Sequence, residues 1–291
     1  MHAVSRSVRV LIVAGLFVSW GAGLAAQSAS TPVYKRDLLG NVVPHVRAAA
    51  AIIYDPQTGA VLWEENMHDQ RSIASLTKLM TAVTFLADSP DFSQQVAVTR
   101  ADTRGASVTY LKAGERISHG DLLHLTLIAS DNAAARVLAR TSEGGTAAFL
   151  ARMNTTATSL GLTNTHFADP SGLDSRNVSS AYDISQLVAY AASDERLSRI
   201  MQMPTYQGRT SRRTFTVRST NRLLGSDVAV LGGKTGFIRK AGYCLATLVQ
   251  VPGGPQVAVV VLGAANSNLR FAEARHLFKW VVARTQGLDG G

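Results

Sequence analysis

The chain has 291 residues, 46% hydrophobic and 17% charged, so it can bury a sizeable core in one large domain or two joined lobes, and general disorder is excluded. Its formal net charge is +9, concentrated at Arg209, Arg212, Arg213, Arg218 and Arg222. These lack the aromatic interleaving of a nucleic-acid surface, which leaves a solvated basic face or docking to an anionic polymer. A single cysteine, Cys244, rules out an intramolecular disulfide. Flanked by Tyr243 and Leu245, it reads as a small buried hydrophobe rather than a nucleophile. With no Cys cluster and no His-x-x-x-His pair among seven histidines, neither a metal site nor a cofactor is expected.

In chain order, Arg6 and Arg9 precede an apolar run from Val10 to Trp20 and the small residues Gly21 to Ala26. Residues 1–26 therefore read as a secretory signal peptide, and the mature chain keeps a charge of +7. Leu24 is not ideal three residues before the cut, so an uncleaved anchor stays open. Residues 27–47 mix Ser, Thr, Pro and basic residues and read as a flexible lead-in. One domain is expected over 48–291, with a helical lobe at about 100–210.

Ala48–Tyr54 and Ala60–Glu64 flank Asp55-Pro56-Gln57-Thr58-Gly59 and predict a hairpin. Arg71–Ala82 follows, with Ile73, Leu76, Leu79, Met80 and Val83 at helical spacing, so Ser75 and Lys78 are expected on one face in a helix's first turn. There the unpaired N–H groups and the dipole favour an oxyanion and disfavour a protonated lysine. Short strands are expected at Val96–Val98 and Val108–Leu111, then a buried helix over Asp121–Ala129 that ends at Ser130-Asp131-Asn132. Helices are expected at Ala133–Arg140, Thr146–Leu160 and Tyr182–Ser193, broken by the loop Phe167–Leu173. Strand character returns at Thr214–Val217, Val228–Leu231, Gly242–Val251 and Gln256–Leu262, the last two joined by Pro252-Gly253-Gly254-Pro255. A helix over Asn268–Arg284 closes the domain.

Strands at both ends and helices between them predict an α+β fold, an antiparallel sheet flanked by helices with an inserted helical lobe. A site is expected in the crevice between sheet and lobe. The glycines of Gly232-Gly233-Lys234-Thr235-Gly236 would let a substrate backbone approach, and Lys234 and Thr235 offer a charge and a hydroxyl to a carboxylate. No one of these motifs is specific; a polar helix edge and a sheet-edge turn are the plain alternatives.

Together they are specific. Ser75-Leu76-Thr77-Lys78, Ser130-Asp131-Asn132 and Lys234-Thr235-Gly236 occur in order, their first residues 55 and 104 apart. With the Phe167–Leu173 loop, Asn177–Asp183, Ser219–Leu224 and Ala241-Gly242-Tyr243, the chain resembles the low-molecular-mass penicillin-binding proteins, the D-alanyl-D-alanine carboxypeptidase and endopeptidase family, across about Ala48 to Arg284. The resemblance implies the serine β-lactamase/DD-peptidase-like fold and an acyl-enzyme on Ser75, with Lys78 as base and Ser130 relaying a proton to the leaving amine. It implies that Asn132 holds the acyl-side peptide, that Lys234, Thr235 and Gly236 line the carboxylate subsite, and that the N–H groups of Ser75 and Phe237 form the oxyanion hole. To act as base, Lys78 needs a pKa lowered by roughly 3 units, which burial and the Lys234 charge would supply.

Two departures bear on specificity. Ile238 follows Phe237 where many relatives have threonine, and Thr220 stands where carboxypeptidase relatives often have arginine; Arg218, Arg222 and Arg239 are the cations that could compensate. No extra β-rich domain or amphipathic anchor fits after Arg284, so a soluble periplasmic or secreted enzyme is expected, closest to the family's endopeptidase branch. Implied partners are peptidoglycan and, as covalent inhibitors, β-lactam antibiotics, with no nucleic acid and no stable membrane anchor after signal cleavage. A class A β-lactamase would add a Glu-x-x-x-Asn loop, whereas Phe167–Asp174 offers only Asp169. A non-catalytic wall-binding scaffold would have eroded the motif residues, all of which are present.

Overall fold

The structure, a computed structural model, describes residues 33–287. The signal peptide read over residues 1–26 lies outside them. Among the described residues no helix is long and apolar enough to cross a membrane.

Residues 33–47, read as part of the lead-in, form a hairpin of β1 (Tyr34–Arg36) and β2 (Val42–Pro44). Its turn is held by the Asp37 carboxylate, which accepts from Leu39 N and Asn41 N. The expected second hairpin follows as β3 (Ala50–Tyr54) and β4 (Val61–Glu65), then β5 (Arg71–Ser72). Ser75 lies in a 3-10 turn, Ala74–Leu76, and not, as expected together with Lys78, in the first turn of the α-helix. Ala74 has φ +49°, a left-handed conformation that an α-helix cannot include. Helix α1 (Thr77–Ala87) starts two residues after Ser75 and is buried from Thr77 to Leu86.

The lobe begins with β6 (Gln95–Ala97), α2 (Arg100–Thr103) and β7 (Arg116–Ser118), then α3 (His119–Ile128), α4 (Asn132–Thr141) and α5 (Gly145–Ser159). Val108–Leu111, expected as a strand, is irregular, because its polar groups serve the Ser130–Asn132 turn. The Asp131 carboxylate accepts from Tyr110 N and the Thr109 hydroxyl, and Val108 O accepts from Asn132 N. After β8 (Val178–Ser179), α6 (Ala181–Ser193) leaves the lobe to pack across the sheet, followed by α7 (Glu195–Met201). A hairpin of β9 (Thr205–Arg209) and β10 (Thr214–Arg218) leads to β11 (Ala229–Ile238), β12 (Gly242–Gln250), β13 (Gln256–Ala264) and α8 (Ser267–Thr285).

The main sheet has the order β11-β12-β13-β3-β4 and is antiparallel throughout. Its central strands read as unbroken apolar runs because both faces are covered. In β13, Ala258, Val260 and Leu262 join the core shared with α6, α1 and the lobe, while Val257, Val259 and Val261 join the core under α8. Strand β11 is an edge, and the 3-10 turn that carries Ser75 packs against it at Gly236.

Candidate active site

Three chain segments meet at Ser75, and two glycines set how closely. A Cβ at Gly236 would stand 3.1 Å from Ser75 N and 2.8 Å from Ile73 O, so only glycine lets β11 lie against the nucleophile's backbone. A Cβ at Gly172, where φ is +83°, would stand 2.1 Å from Ala74 O. The Phe167–Leu173 loop therefore clamps the same turn from the other side. Asp169 holds that loop, accepting from Ser171 N, Gly172 N and the Asn177 amide.

Lys78 is fully buried, and its Nζ lies 3.0 Å from Ser75 Oγ, 2.6 Å from Asn132 Oδ1 and in contact with Ser171 O. Two of these partners can only accept. Ser171 O is a carbonyl, and the Asn132 amide is oriented by its Nδ2, which donates to Ala106 O at 2.6 Å. A neutral amine has two hydrogens and one lone pair. With both hydrogens spent on Asn132 and Ser171, the lone pair faces the Ser75 hydroxyl. Burial pulls Lys78 down to about 7; Arg136 acts the same way, and Asp169 and Asp131 oppose it.

Ser130 occupies the left-handed position after α3, at φ +59°, where helices usually place glycine. The turn is pinned by Asp131, whose carboxylate caps α4 by accepting from Ala134 N; burial pushes that carboxyl up. Lys234 Nζ donates to Ser130 Oγ at 2.8 Å and to Thr235 O at 2.9 Å. Burial, then the charges of Lys78 and Arg270, hold Lys234 well below the usual lysine range, and a bound carboxylate would oppose that shift. The Thr235 hydroxyl lies 2.7 Å from that of Thr220, so Thr220 keeps a polar group at the subsite. Phe237 is half exposed and stacks on Tyr243 across the strand pair.

Sequence reasoning brought together Ser75, Lys78, Ser130, Asn132, Lys234, Thr235, Gly236 and Phe237; the structure joins Ser75, Lys78 and Asn132 by hydrogen bonds, sets Gly236 against the Ser75 turn, and bonds Lys234 to Ser130, with Thr235 and Phe237 beside it on β11. Asn132 differs in detail: its oxygen serves Lys78, and one Nδ2 hydrogen remains beyond Ala106. Arg222, a candidate to compensate for Thr220, is turned away, donating to Ser267 O and Asn268 Oδ1 over the Phe271 ring. Ile238 packs against the lobe-side core. The carbonyl of Ser171 was missed, since a backbone acceptor leaves no residue-type signature. Cys244 is fully buried, which pushes its thiol up to about 11, as suits a packing residue. Among the described residues no group of three or more His, Cys, Asp or Glu could hold a metal.

A serine–lysine pair set against the edge strand of a five-stranded antiparallel sheet, with a helical lobe closing the crevice, defines a serine hydrolase of the DD-peptidase and β-lactamase-like class. The Streptomyces K15 DD-transpeptidase is similar over 82% of this chain and 98% of its own, with a TM-score of 0.78 and 28% identity. The family model described as D-alanyl-D-alanine carboxypeptidase matches residues 39–266, and the chain belongs to that family. It is 32% identical to a D-alanyl-D-alanine endopeptidase of Pseudomonas aeruginosa, over 94% of this chain and 88% of the relative. It is 33% identical to a D-alanyl-D-alanine endopeptidase of Escherichia coli, over 82% and 78% respectively. The chain is a serine D-alanyl-D-alanine peptidase of the carboxypeptidase and endopeptidase type.

Proposed function

We propose that this enzyme cleaves D-alanyl bonds of peptidoglycan stem peptides through an acyl-enzyme on Ser75, and that cross-linked dimers are its better substrate. The Lys78 geometry carries the catalytic part. Its lone pair takes the Ser75 proton as Oγ attacks the carbonyl of the penultimate D-alanine, and the oxyanion is held by Ser75 N–H and Phe237 N–H, each worth on the order of 3 kcal/mol. Ser130, held by Lys234, passes a proton to the departing amine as the C–N bond breaks. The proton held by Lys78 replaces the one Ser130 gave up, so Lys78 is neutral again when water attacks the ester; it then takes the water's proton and returns it to Ser75 Oγ as the acyl C–O bond breaks. Lys234 and Thr235 bind the substrate carboxylate, and the remaining Asn132 Nδ2 hydrogen serves the acyl-side peptide.

The preference for cross-links rests on Thr220 and Ile238, with the two endopeptidase relatives as support. A short hydroxyl at residue 220 and a carbon side chain at 238 leave room for the remaining arm of a diaminopimelate, where an arginine would clamp a lone D-alanine carboxylate. The export signal read from residues 1–26 and a peptidoglycan substrate both support a cell-envelope location, and the basic charge suits an anionic wall polymer.

Chromatography of one muropeptide mixture digested with the mature protein tests this. Dimers should disappear faster than monomeric pentapeptides lose D-alanine, and Thr220→Arg should move the ratio of kcat/KM toward the pentapeptide by ~1–2 kcal/mol, the scale of a charge-assisted hydrogen bond. Release of D-alanine with dimers left uncut would return the chain to the plain carboxypeptidases. Benzylpenicillin should leave an adduct on Ser75 visible by intact mass for minutes or longer; rapid turnover to penicilloate without an adduct would make it a β-lactamase instead.

A further inference from the structure

Arg270 is only 8% exposed, yet among the described residues no carboxylate lies within ion-pair distance of it. Its Nη1 donates to Gly236 O at 3.0 Å and to Cys244 O at 3.2 Å, and its Nη2 to Ser267 Oγ at 3.3 Å. The guanidinium lies over the rings of Phe271 and Tyr243, 4.8 and 5.5 Å from their centroids, and its Nε has no partner. Burying a cation that meets only carbonyl oxygens, one hydroxyl and ring faces is unfavourable, because no opposite charge offsets the lost hydration. Hydrophobic residues would fill this part of α8 at lower cost, so the arrangement calls for a compensating role.

Which carbonyls it holds indicates that role. Gly236 and Cys244 face each other across β11 and β12, and the register of β12 on β13 shifts between Tyr243 and Leu245, which sets the Cys244 carbonyl apart from the regular ladder. A residue's N–H and C=O point to the same side of a strand, and those of the next residue point to the other. Holding Gly236 O toward β12 therefore turns the Phe237 N–H to the open edge of β11, next to the Ser75 turn that packs on the strand at Gly236. Because the peptide is planar, any rotation that frees the carbonyl tilts that N–H away from the oxyanion position.

We propose that Arg270 is a positioning residue for the oxyanion hole: by clamping the Gly236 carbonyl it fixes the Phe237 N–H in its donating direction. The inference rests on the acyl-enzyme reading, in which Phe237 N–H is one of two oxyanion donors. Removing one such donor costs 10²–10³ in rate, so a donor left free to tilt should cost on the order of 100-fold.

Arg270→Met and Arg270→Lys decide the matter with three readouts. The acylation rate constant for benzylpenicillin should fall about 100-fold in the Met variant and be partly restored by Lys, whose ammonium can hold one carbonyl. The affinity of a boronic acid, which places a tetrahedral oxygen in the same hole, should fall in parallel. The Kd for non-covalent penicillin, measured with Ser75→Ala added, should move less than about 3-fold, since ground-state binding does not use the hole. An unchanged acylation constant together with unchanged boronate affinity in the Met variant, or in Arg270→Leu should the Met variant not fold, overturns the proposal. A loss in Kd with the rate constant intact also overturns it, assigning Arg270 to the ligand carboxylate. Wild-type protein that penicillin does not acylate would overturn the underlying acyl-enzyme reading, an outcome separate from any effect of the variants.

Discussion

Lys78 offers the sharpest test of the mechanism because its environment sets both a rate and a stability. At a pKa of about 7 the side chain is half neutral at neutral pH, against one molecule in 10³ to 10⁴ for a free lysine. Acylation by benzylpenicillin should therefore rise about tenfold per pH unit below 7 and level off above it. Lys78→Arg puts a guanidinium, which stays protonated at any workable pH, in the same place, so labelling should fall by at least ~10⁴-fold. Lys78→Met, close in volume and without a base, should be equally inactive. The folded-state pKa lies below the ordinary lysine value of 10.5, so between pH 7 and 10.5 the unfolded chain binds the extra proton. Stability from this group therefore rises across that window, by about 5 kcal/mol in all, and Lys78→Met should lose that slope. Stopped-flow labelling and denaturant unfolding across pH supply both measurements. Labelling of folded Lys78→Arg at the wild-type rate, or a flat rate profile from pH 5 to 9, would refute Lys78 as the base.

Two further substitutions probe the backbone around the nucleophile. Ser130→Ala and Ser130→Gly both remove the hydroxyl bonded to Lys234 and should slow turnover alike, but the glycine variant should be more stable than the alanine variant by about 1 kcal/mol, since only alanine keeps a strained φ of +59°. Equal melting temperatures would show that the turn carries no strain. Gly172→Ala should cost several kcal/mol and abolish penicillin labelling, whereas Gly161→Ala, at a similar φ of +72° with open space around it, should cost only about 1 kcal/mol. Similar losses in unfolding experiments would remove the proposed clamp on Ala74.

Much of this was legible in the sequence where chemistry depends on residue type. The Ser-x-x-Lys, Ser-Asp-Asn and Lys-Thr-Gly segments mark the site, and the Asp55–Gly59 turn and the valine-rich runs mark the sheet. What escaped depends on backbone groups or on which face is covered. The apolar alternation of Arg71–Ala82 fits a helix throughout, but the left-handed Ala74 breaks it and places Ser75 in its own turn. Val108–Leu111 has strand composition, yet its Tyr110 amide is used by a carboxylate 21 residues on. The β1–β2 hairpin was readable from Asp37, Gly40 and Asn41, whose turn chemistry was outweighed by the polar composition around it. Arg270 had a signal too: a cation next to Phe271 in the helical row that buries Ala274 and Leu277 is out of place on a core face.

The two glycines that press on the Ser75 turn come from about 100 and 160 residues further along the chain, one from a loop under the lobe and one from the far edge of the sheet. The nucleophile acquires its geometry only when three distant parts of the polypeptide have docked, so a partly folded molecule has the serine but not the site. Formation of the catalytic turn is thus one of the slower, high-contact-order events of folding, and it should be lost together with the global fold rather than before it. A β-lactam label would then count native molecules one by one, and could follow the refolding of this enzyme without any other probe.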